Sequence, residues 1–400
     1  MRDLSMTRHF TAFLRRLSGP VVLPCMLASL SPACAPVATS DTYDAKGARP
    51  QRTVSLTTNR VASHLSDAVV HLPPGAIAIT IDDGPSSLAK DFLAASEAFG
   101  RLPLTFFPAA HHFFEEGQAI CDSVRAQIDQ GGSVTWTRSD GVAVPADQID
   151  IASLRIKPGL EDIAGVLSKS YVEIGHHSFC HFVGTETNRN RAFANLPTEV
   201  RHLELVGAAR ALRRFKDLAL TRSDRTVEFG DPLPVNLAPV LRTAGNSWWG
   251  PHRDRPQWVE HWNSQLANAG FAYVGPVGWT VPAKGGADIF CDRSQGVAAC
   301  VDQYIEGYRA DLRAGRGSVS LHHELGGHQH AGWMFEVFYR FLTRLTEQSR
   351  AAGKDACPRV IPLSCGVMGT CKASDYPCLH EQAINPPSWE EFSARRQMVN

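Results

Sequence analysis

The chain has no excess of charge of either sign, because its 400 residues include 40 lysines plus arginines and 40 aspartates plus glutamates. A balanced chain creates no long-range field that draws it to nucleic acid or to an anionic surface. We therefore expect no nucleic-acid partner, and a substrate that is neutral or recognised locally. Hydrophobic residues make up 44% of the chain, which excludes a collagenous or wholly disordered protein.

Long hydrophobic runs are missing as well. The apolar run over residues 20–30 is too short and too interrupted by proline to span a membrane. It follows four arginines and precedes an Ala-x-Ala pattern that resembles a signal-peptidase site. We therefore predict no transmembrane helix, an export signal over residues 1–35 and a tether over 36–65. Cys34 leaves a lipid anchor open as an alternative, although the residues before it make a poor lipobox.

Cys-x-x-Cys pairs are missing among the eight cysteines that follow the predicted leader. These cysteines are Cys121, Cys180, Cys291, Cys300, Cys357, Cys365, Cys371 and Cys378. An even number suits an oxidising compartment, so we predict disulfides and a periplasmic, cell-envelope or secreted protein. Cys291 and Cys300 flank a short loop and are expected to form a local bridge. Buried thiols or a zinc knuckle remain as alternatives.

Short apolar runs alternate with amphipathic stretches along most of the chain. The apolar runs cover residues 77–81, 104–107, 171–174, 239–241, 271–274 and 318–321. The helical candidates cover residues 88–99, 199–218, 257–269, 301–314 and 334–347. This alternation predicts an α/β fold, either a barrel or a doubly wound sheet. Residues 131–170 and 185–238 interrupt it and are interpreted as insertions on the loop face.

Two adjacent carboxylates, Asp82 and Asp83, end a hydrophobic strand and precede a Gly-Pro turn. Desolvating an unpaired carboxylate costs several kcal/mol, so this pair indicates a bound metal or a bound proton. His177 and His181 lie four residues apart, a spacing that lets both imidazoles reach one ion. An aspartate with two histidines forms a hydrolytic metal site that keeps open positions for water and substrate.

Three motifs resemble those of the polysaccharide deacetylases, carbohydrate esterase family 4, which contain the NodB-homology domain. Residues 80–85 (TIDDGP) resemble the family's TFDDGP motif, and residues 177–181 (HSFCH) resemble its HSxxH motif. Residues 319–325 (VSLHHEL) resemble its LxH motif. The resemblance covers residues 66–350 and implies a distorted (β/α) barrel with loop insertions. Residues 351–400 would form a Cys-rich C-terminal appendage.

The resemblance implies a role for each residue of these motifs. Asp82 would be the general base, Asp83, His177 and His181 the metal ligands, and His323 the general acid. A divalent metal would polarise the acetyl carbonyl and lower the pKa of a bound water. Protonation of the leaving amine suits an imidazole that titrates near neutrality. Zinc is the default ion for these ligands, although cobalt or nickel also fit them.

His322 and His323 are adjacent and point to opposite sides of the predicted strand. Val319, Leu321 and His323 share one face, which we interpret as the barrel interior. We therefore predict that His323 lies over the metal and that Leu321 forms an apolar wall for the acetyl methyl group. His322 is predicted to be structural or exposed at the rim.

The arginine motif departs from the family pattern RxPYG, because residues 241–251 read LRTAGNSWWGP. Arg242 still follows an apolar strand and could hold Asp82 by a salt bridge. A plain surface arginine is the alternative interpretation. Since the proline and tyrosine are missing, Gly245 or Asn246 must supply the backbone N–H of the oxyanion hole.

Other candidates rest on weaker patterns. Trp248 and Trp249 are predicted to contact a sugar ring, although a lone tryptophan more often lies in the core. Asp288, which follows Trp279, is the candidate for the aspartate that tunes the catalytic histidine.

These patterns predict an exported, monomeric, metal-dependent hydrolase that removes acetyl groups from a polysaccharide such as peptidoglycan or a chitin-like glycan. Two alternatives stay open. The same scaffold could hydrolyse a small amide, or the chain could be a glycan-binding module with a degenerate, non-catalytic site.

Overall fold

A computed structural model describes residues 72–185, 187–218, 236–246, 255–268, 279–281, 293–324 and 331–399. These residues all belong to one compact unit, Thr57–Asn400. The predicted leader and tether, with Cys34, lie outside the described residues, and so does the predicted strand over 271–274.

The sheet is parallel and follows the strand order β6-β5-β2-β1-β7, with β8 paired to the first residues of β1. A separate hairpin is formed by β3 and β4. The strands are β1 (Ala76–Asp82), β2 (Leu104–Phe107), β3 (Thr135–Thr137), β4 (Ala143–Pro145), β5 (Val172–His176), β6 (Leu237–Leu241), β7 (Ser318–His323) and β8 (Arg359–Val360).

Helices connect and cover the strands. They are α1 (Leu88–Ala98), α2 (Gly117–Gln130), α3 (Leu160–Leu167), α4 (Thr198–His202), α5 (Ala208–Leu218), α6 (Arg255–Asn268), α7 (Gly296–Arg313), α8 (Ala331–Ala356), α9 (Leu363–Met368), α10 (Leu379–Gln382) and α11 (Trp389–Val399). A π-helical segment, Leu203–Gly207, joins α4 to α5. The run predicted as one helix over 199–218 is therefore two helices with a π turn between them.

The central strand β1 is buried along its whole length, as expected for a parallel sheet covered on both faces. Its isoleucines, Ile77, Ile79 and Ile81, pack in the larger hydrophobic core. Its alanines, Ala76 and Ala78, belong to a second, smaller core. Strand alternation thus assigns the two sets of residues to opposite faces of the sheet.

The register of the strands brings their carboxyl ends to one edge. Asp82 is aligned with Phe107 on one neighbour and with His323 on the other. His176 is aligned with Leu241 at the far side of the sheet. The residues that follow these positions therefore meet above the same edge.

The predicted α/β class is confirmed, since the main sheet is parallel and helices cover it. Closure into a barrel stays a prediction, because the pairings among the described residues give an open strand order. No helix in the described part of the chain is long and apolar enough to cross a membrane.

Disulfides are confirmed by the structure. Cys121 bonds to Cys180, and two further pairs, Cys357–Cys378 and Cys365–Cys371, lie in the C-terminal segment. Cys300 is also disulfide-bonded, whereas Cys291, its predicted partner, lies outside the described residues. The C-terminal segment also contributes β8 to the main sheet.

Candidate metal centre

Asp83 lies directly beyond β1 and turns the chain over the edge of the sheet. Its φ angle is 72°, and its backbone N–H donates to the carbonyl of Phe107 at 3.1 Å. A non-glycine residue in this left-handed region is uncommon and persists only where its surroundings hold it. The turn places the Asp83 carboxylate next to the loop that follows β5.

His177 and His181 bring two imidazole nitrogens to that carboxylate. The Nε2 atoms of His181 and His177 lie 2.9 and 3.4 Å from Asp83 Oδ1. One ligand atom from each of the three residues lies within 4.8 Å of the other two. His177 Nδ1 donates to the carbonyl of Arg242 at 2.9 Å, so the lone pair of Nε2 faces Asp83.

The electrostatics of the cluster suit a cation. Burial opposes ionisation of Asp83, yet attraction to His181 holds its pKa well below the usual range. Burial likewise opposes the charged form of His181, but the Asp83 carboxylate raises the pKa of His181. The Oδ1 atom of Asp83 is buried and has no hydrogen-bond partner of suitable geometry among the described residues, although the Nε2 atoms of both histidines lie near it. A buried carboxylate oxygen and two imidazole nitrogens this close together fit a divalent metal, which would take the place of the His181 proton.

Asp82 is buried beside this cluster and is held by Arg242. The Nη1 atom of Arg242 donates to Asp82 Oδ1 at 2.7 Å and to Thr80 Oγ1 at 2.8 Å. Asp82 Oδ2 lies 3.5 Å from His177 Nε2, on the side of the metal ligands. The guanidinium lies over the ring of Phe107, 4.4 Å from its centroid, and is fully buried. Arg242 is therefore not a surface arginine.

His323 ends β7 next to Asp82, and 7% of its surface is exposed. The adjacent His322 is fully buried on the opposite side, where its ring stacks on Tyr304 at 4.8 Å. Neither ring nitrogen of His322 has a hydrogen-bond partner among the described residues. Burial, with a smaller contribution from His323, lowers the pKa of His322 to about 3. Of the two predicted placements, exposure of His322 at the rim is therefore wrong.

The remaining predicted residues are only partly placed. Leu321 is buried on β7, aligned with Thr80. Gly245 is exposed and has a φ angle of 55°. It lies in a short 3-10 turn, Ala244–Asn246, which follows Arg242 and Thr243. The structure describes the backbone of Asn246 but not its side chain. Trp248, Trp249 and Asp288 lie outside the described residues.

Glu324 is a site residue to which sequence reasoning gave no role. It is fully buried, and its Oε1 accepts hydrogen bonds from the backbone N–H of Ser86 at 2.6 Å and from its hydroxyl at 2.9 Å. A Cβ atom at Gly84 would overlap the Glu324 carboxyl group. Burial raises the pKa of Glu324 to about 7. Its place directly after His323 in the HHEL run was the available signal.

Comparisons with known proteins give only distant matches. No family profile and no curated protein matches the chain. It is similar to the peptidoglycan N-acetylglucosamine deacetylase Bc1960, with a TM-score of 0.39 and 13% identity over 74% of this chain and 91% of that one. A Streptococcus mutans CE4 esterase gives a TM-score of 0.39 and 14% identity over 72% and 87%.

The Bacillus anthracis protein BA3943, described as a CE4 family pseudoenzyme, gives a TM-score of 0.34 and 13% identity over 70% of this chain and 63% of that one. Similarities of this size carry no conclusion about activity. The functional assignment therefore depends on the geometry of the site.

Proposed function

We propose that the chain is an exported, metal-dependent deacetylase that acts on the N-acetylated or O-acetylated sugars of a polysaccharide, such as peptidoglycan or a chitin-like glycan. The observation that supports this most strongly is the convergence of side chains at one edge of the sheet. Three residues that could bind a metal lie there beside a buried carboxylate, which is held by an arginine. A histidine lies on the adjoining strand. The residues are Asp82, Asp83, His177, His181, Arg242 and His323.

Asp83, His177 and His181 would hold the ion, and zinc is the expected one for an aspartate with two histidines. When bound, such an ion polarises a carbonyl and lowers the pKa of water. The His177–Arg242 hydrogen bond keeps one imidazole in the tautomer that a ligand requires.

Asp82 is the proposed general base. Arg242 donates a hydrogen bond to one of its carboxylate oxygens. The other oxygen lies on the side of the proposed metal ligands and can accept a proton from the attacking water. The arginine fixes the orientation of the carboxylate and compensates its charge in a buried place.

His323 is the proposed general acid. The tetrahedral intermediate of amide hydrolysis collapses toward products only when the leaving nitrogen receives a proton. The register that aligns His323 with Asp82 puts the acid and the base on neighbouring strand ends, so one substrate can contact both.

Substrate class and compartment rest on separate observations. The balanced charge argues against an ionic polymer recognised at long range. The disulfides are compatible with an oxidising, extracytoplasmic compartment. The backbone N–H of Gly245 or Asn246 and the rings of Trp248 and Trp249 remain proposed substrate contacts.

The test is acetate release from N-acetylated oligosaccharides, O-acetylated xylan and simple acetamides, before and after the metal is chelated. We expect acetate release from a glycan that stops when the metal is chelated. Turnover on acetamides alone would favour the small-amide alternative. Glycan binding without any acetate release would favour the non-catalytic one.

A matched pair of variants separates chemistry from folding. Asp82→Asn should keep the metal and lose roughly 10² to 10⁴ in rate, the usual worth of a positioned general base. Asp311→Asn removes another buried carboxylate that pairs with an arginine, but at the opposite end of the sheet. It should leave the rate per folded molecule unchanged, and equal loss in both variants would contradict the assignment of Asp82.

A further inference from the structure

The loop over residues 177–181, which carries both histidine ligands, has an unfavourable backbone. Ser178 and His181 adopt φ angles of 65° and 57° although neither is glycine. Such conformations persist only where neighbouring groups over-determine them. The contacts that hold this loop therefore decide how well the two imidazoles are placed for a metal.

We propose that Glu204 is a positioning residue for the metal site, and this inference rests on the proposed function. Its Oε1 accepts the backbone N–H of Cys180, the residue before His181, at 2.6 Å. Its carboxyl group also interacts with the Ser178 hydroxyl, whose oxygen accepts the backbone N–H of His181 at 3.2 Å. Glu204 thus holds the backbone beside one metal ligand directly and interacts with the hydroxyl that holds the N–H of that ligand.

A second connection leaves the same π-helical segment, Leu203–Gly207. The carbonyl of Leu205 accepts Nε2–H of His176 at 2.9 Å, while His176 Nδ1 accepts the backbone N–H of Ser178 at 3.0 Å. Single π turns inside helices occur frequently at functional sites. Here the turn lets a side chain and a carbonyl from the 185–238 insertion hold the same loop, which gives that insertion a role.

The surroundings of Glu204 make this role testable. The residue is 2% exposed and borders a small cavity lined by Phe182, Phe193 and Leu196. Leucine is slightly larger than glutamate, suits this lining beside the cavity and lacks the acceptor. Glutamine keeps an acceptor for the Cys180 N–H. The disulfide at Cys180 and the Phe179 carbonyl bonded to His111 still restrain the loop in each variant.

The experiment measures the zinc dissociation constant of the full chain by competition with a chromogenic chelator, together with the thermal unfolding of the metal-free protein. Glu204→Leu should weaken zinc binding about 10- to 100-fold, the usual effect of losing an outer-shell partner. Glu204→Gln should stay within about threefold of wild type by the same reasoning. Glu173→Gln is the control, because Glu173 on β5 is another largely buried carboxyl, bonded to Thr105 on β2 and Ser364 on α9. It should change only the unfolding temperature.

Ser178→Ala removes the hydroxyl that interacts with Glu204 and accepts the His181 N–H, with little change in volume, and it decides the matter if Glu204→Leu does not fold. It should weaken zinc binding by several-fold. Wild-type zinc affinity in a folded Glu204→Leu or Ser178→Ala protein would overturn the inference. A wild-type chain that binds no zinc, or binds it and releases no acetate, would instead overturn the proposed function.

Discussion

Removal of the Arg242 charge should damage folding and catalysis far more than metal binding. Arg242 is fully buried, and its guanidinium donates to both Asp82 and Thr80. Its backbone carbonyl accepts from His177, one of the proposed metal ligands. Arg242→Met keeps an unbranched apolar stem and that carbonyl but removes the charge.

The size of the effect follows from the burial of the pair. Breaking a buried ion pair on one side costs about 3–5 kcal/mol, because the remaining charge is left uncompensated. Here that charge belongs to Asp82, which is only 3% exposed. We therefore expect Arg242→Met to lower the free energy of unfolding by about 3–5 kcal/mol. The rate should fall on the order of 10²-fold, because the base is no longer held in place.

The assay is urea unfolding of a double-mutant cycle that adds Asp82→Asn and the double variant. Asparagine carries no charge, so the double variant should be more stable than Arg242→Met alone. Arg344→Met is the control, since Arg344 pairs with Asp302 and more than half of each side chain is exposed. It should cost no more than about 1 kcal/mol. Additive effects of the two site variants, or a cost for Arg242→Met as small as for Arg344→Met, would refute the reasoning.

Three further predictions follow from other buried groups. His322 has a pKa of about 3 in the folded chain against about 6.5 when unfolded, so the unfolded state takes up the proton first and stability falls as the pH drops from 6.5 to 3. His322→Leu should remove that loss, worth about 2 kcal/mol at pH 5, and unchanged acid denaturation curves would contradict this. Gly84→Ala should lose activity by on the order of 10²-fold because of its overlap with Glu324, and a fully active variant would show that the turn adapts. Replacing both Cys121 and Cys180 by serine opens a loop of 59 residues and should cost about 4 kcal/mol in chemical unfolding, whereas a loss below about 1 kcal/mol would contradict a structural role.

Sequence reasoning succeeded where a signal was local. The helix predicted over 88–99 is α1, Leu88–Ala98, and the run over 104–107 is β2, because each depends on the pattern of its own residues. Some boundaries shifted. The last long helix was predicted over 334–347, whereas the helical segment is Ala331–Ala356 and is broken at Gly353, whose φ angle is 70°.

The residues of the candidate site could also largely be proposed from the sequence alone. Asp82 and Asp83 follow a buried strand, and the two histidines share one short loop, so their convergence follows from the rule that parallel strands end at one edge. Residue type and position along the chain were sufficient to propose the three residues that the structure brings together as a candidate ligand set. They left open most of the groups that hold these residues in place.

Those holding groups were decided by tertiary structure. The Arg242–Asp82 pair, 160 residues apart, was expected from the sequence only as one of two alternatives. Glu324 is 238 residues from Ser86, and Glu204 lies in an insertion whose π turn no periodicity indicated. The burial of His322 likewise depends on α7 and α8, which pack against the outer side of β7. Folding brings together the atoms that pair a buried charge. It also brings together the hydrogen-bonding groups that hold a polar loop in place. The sequence by itself therefore determined which residues are the candidates for the chemistry, and the fold determined most of their partners, because desolvation and hydrogen bonding act between neighbours in space.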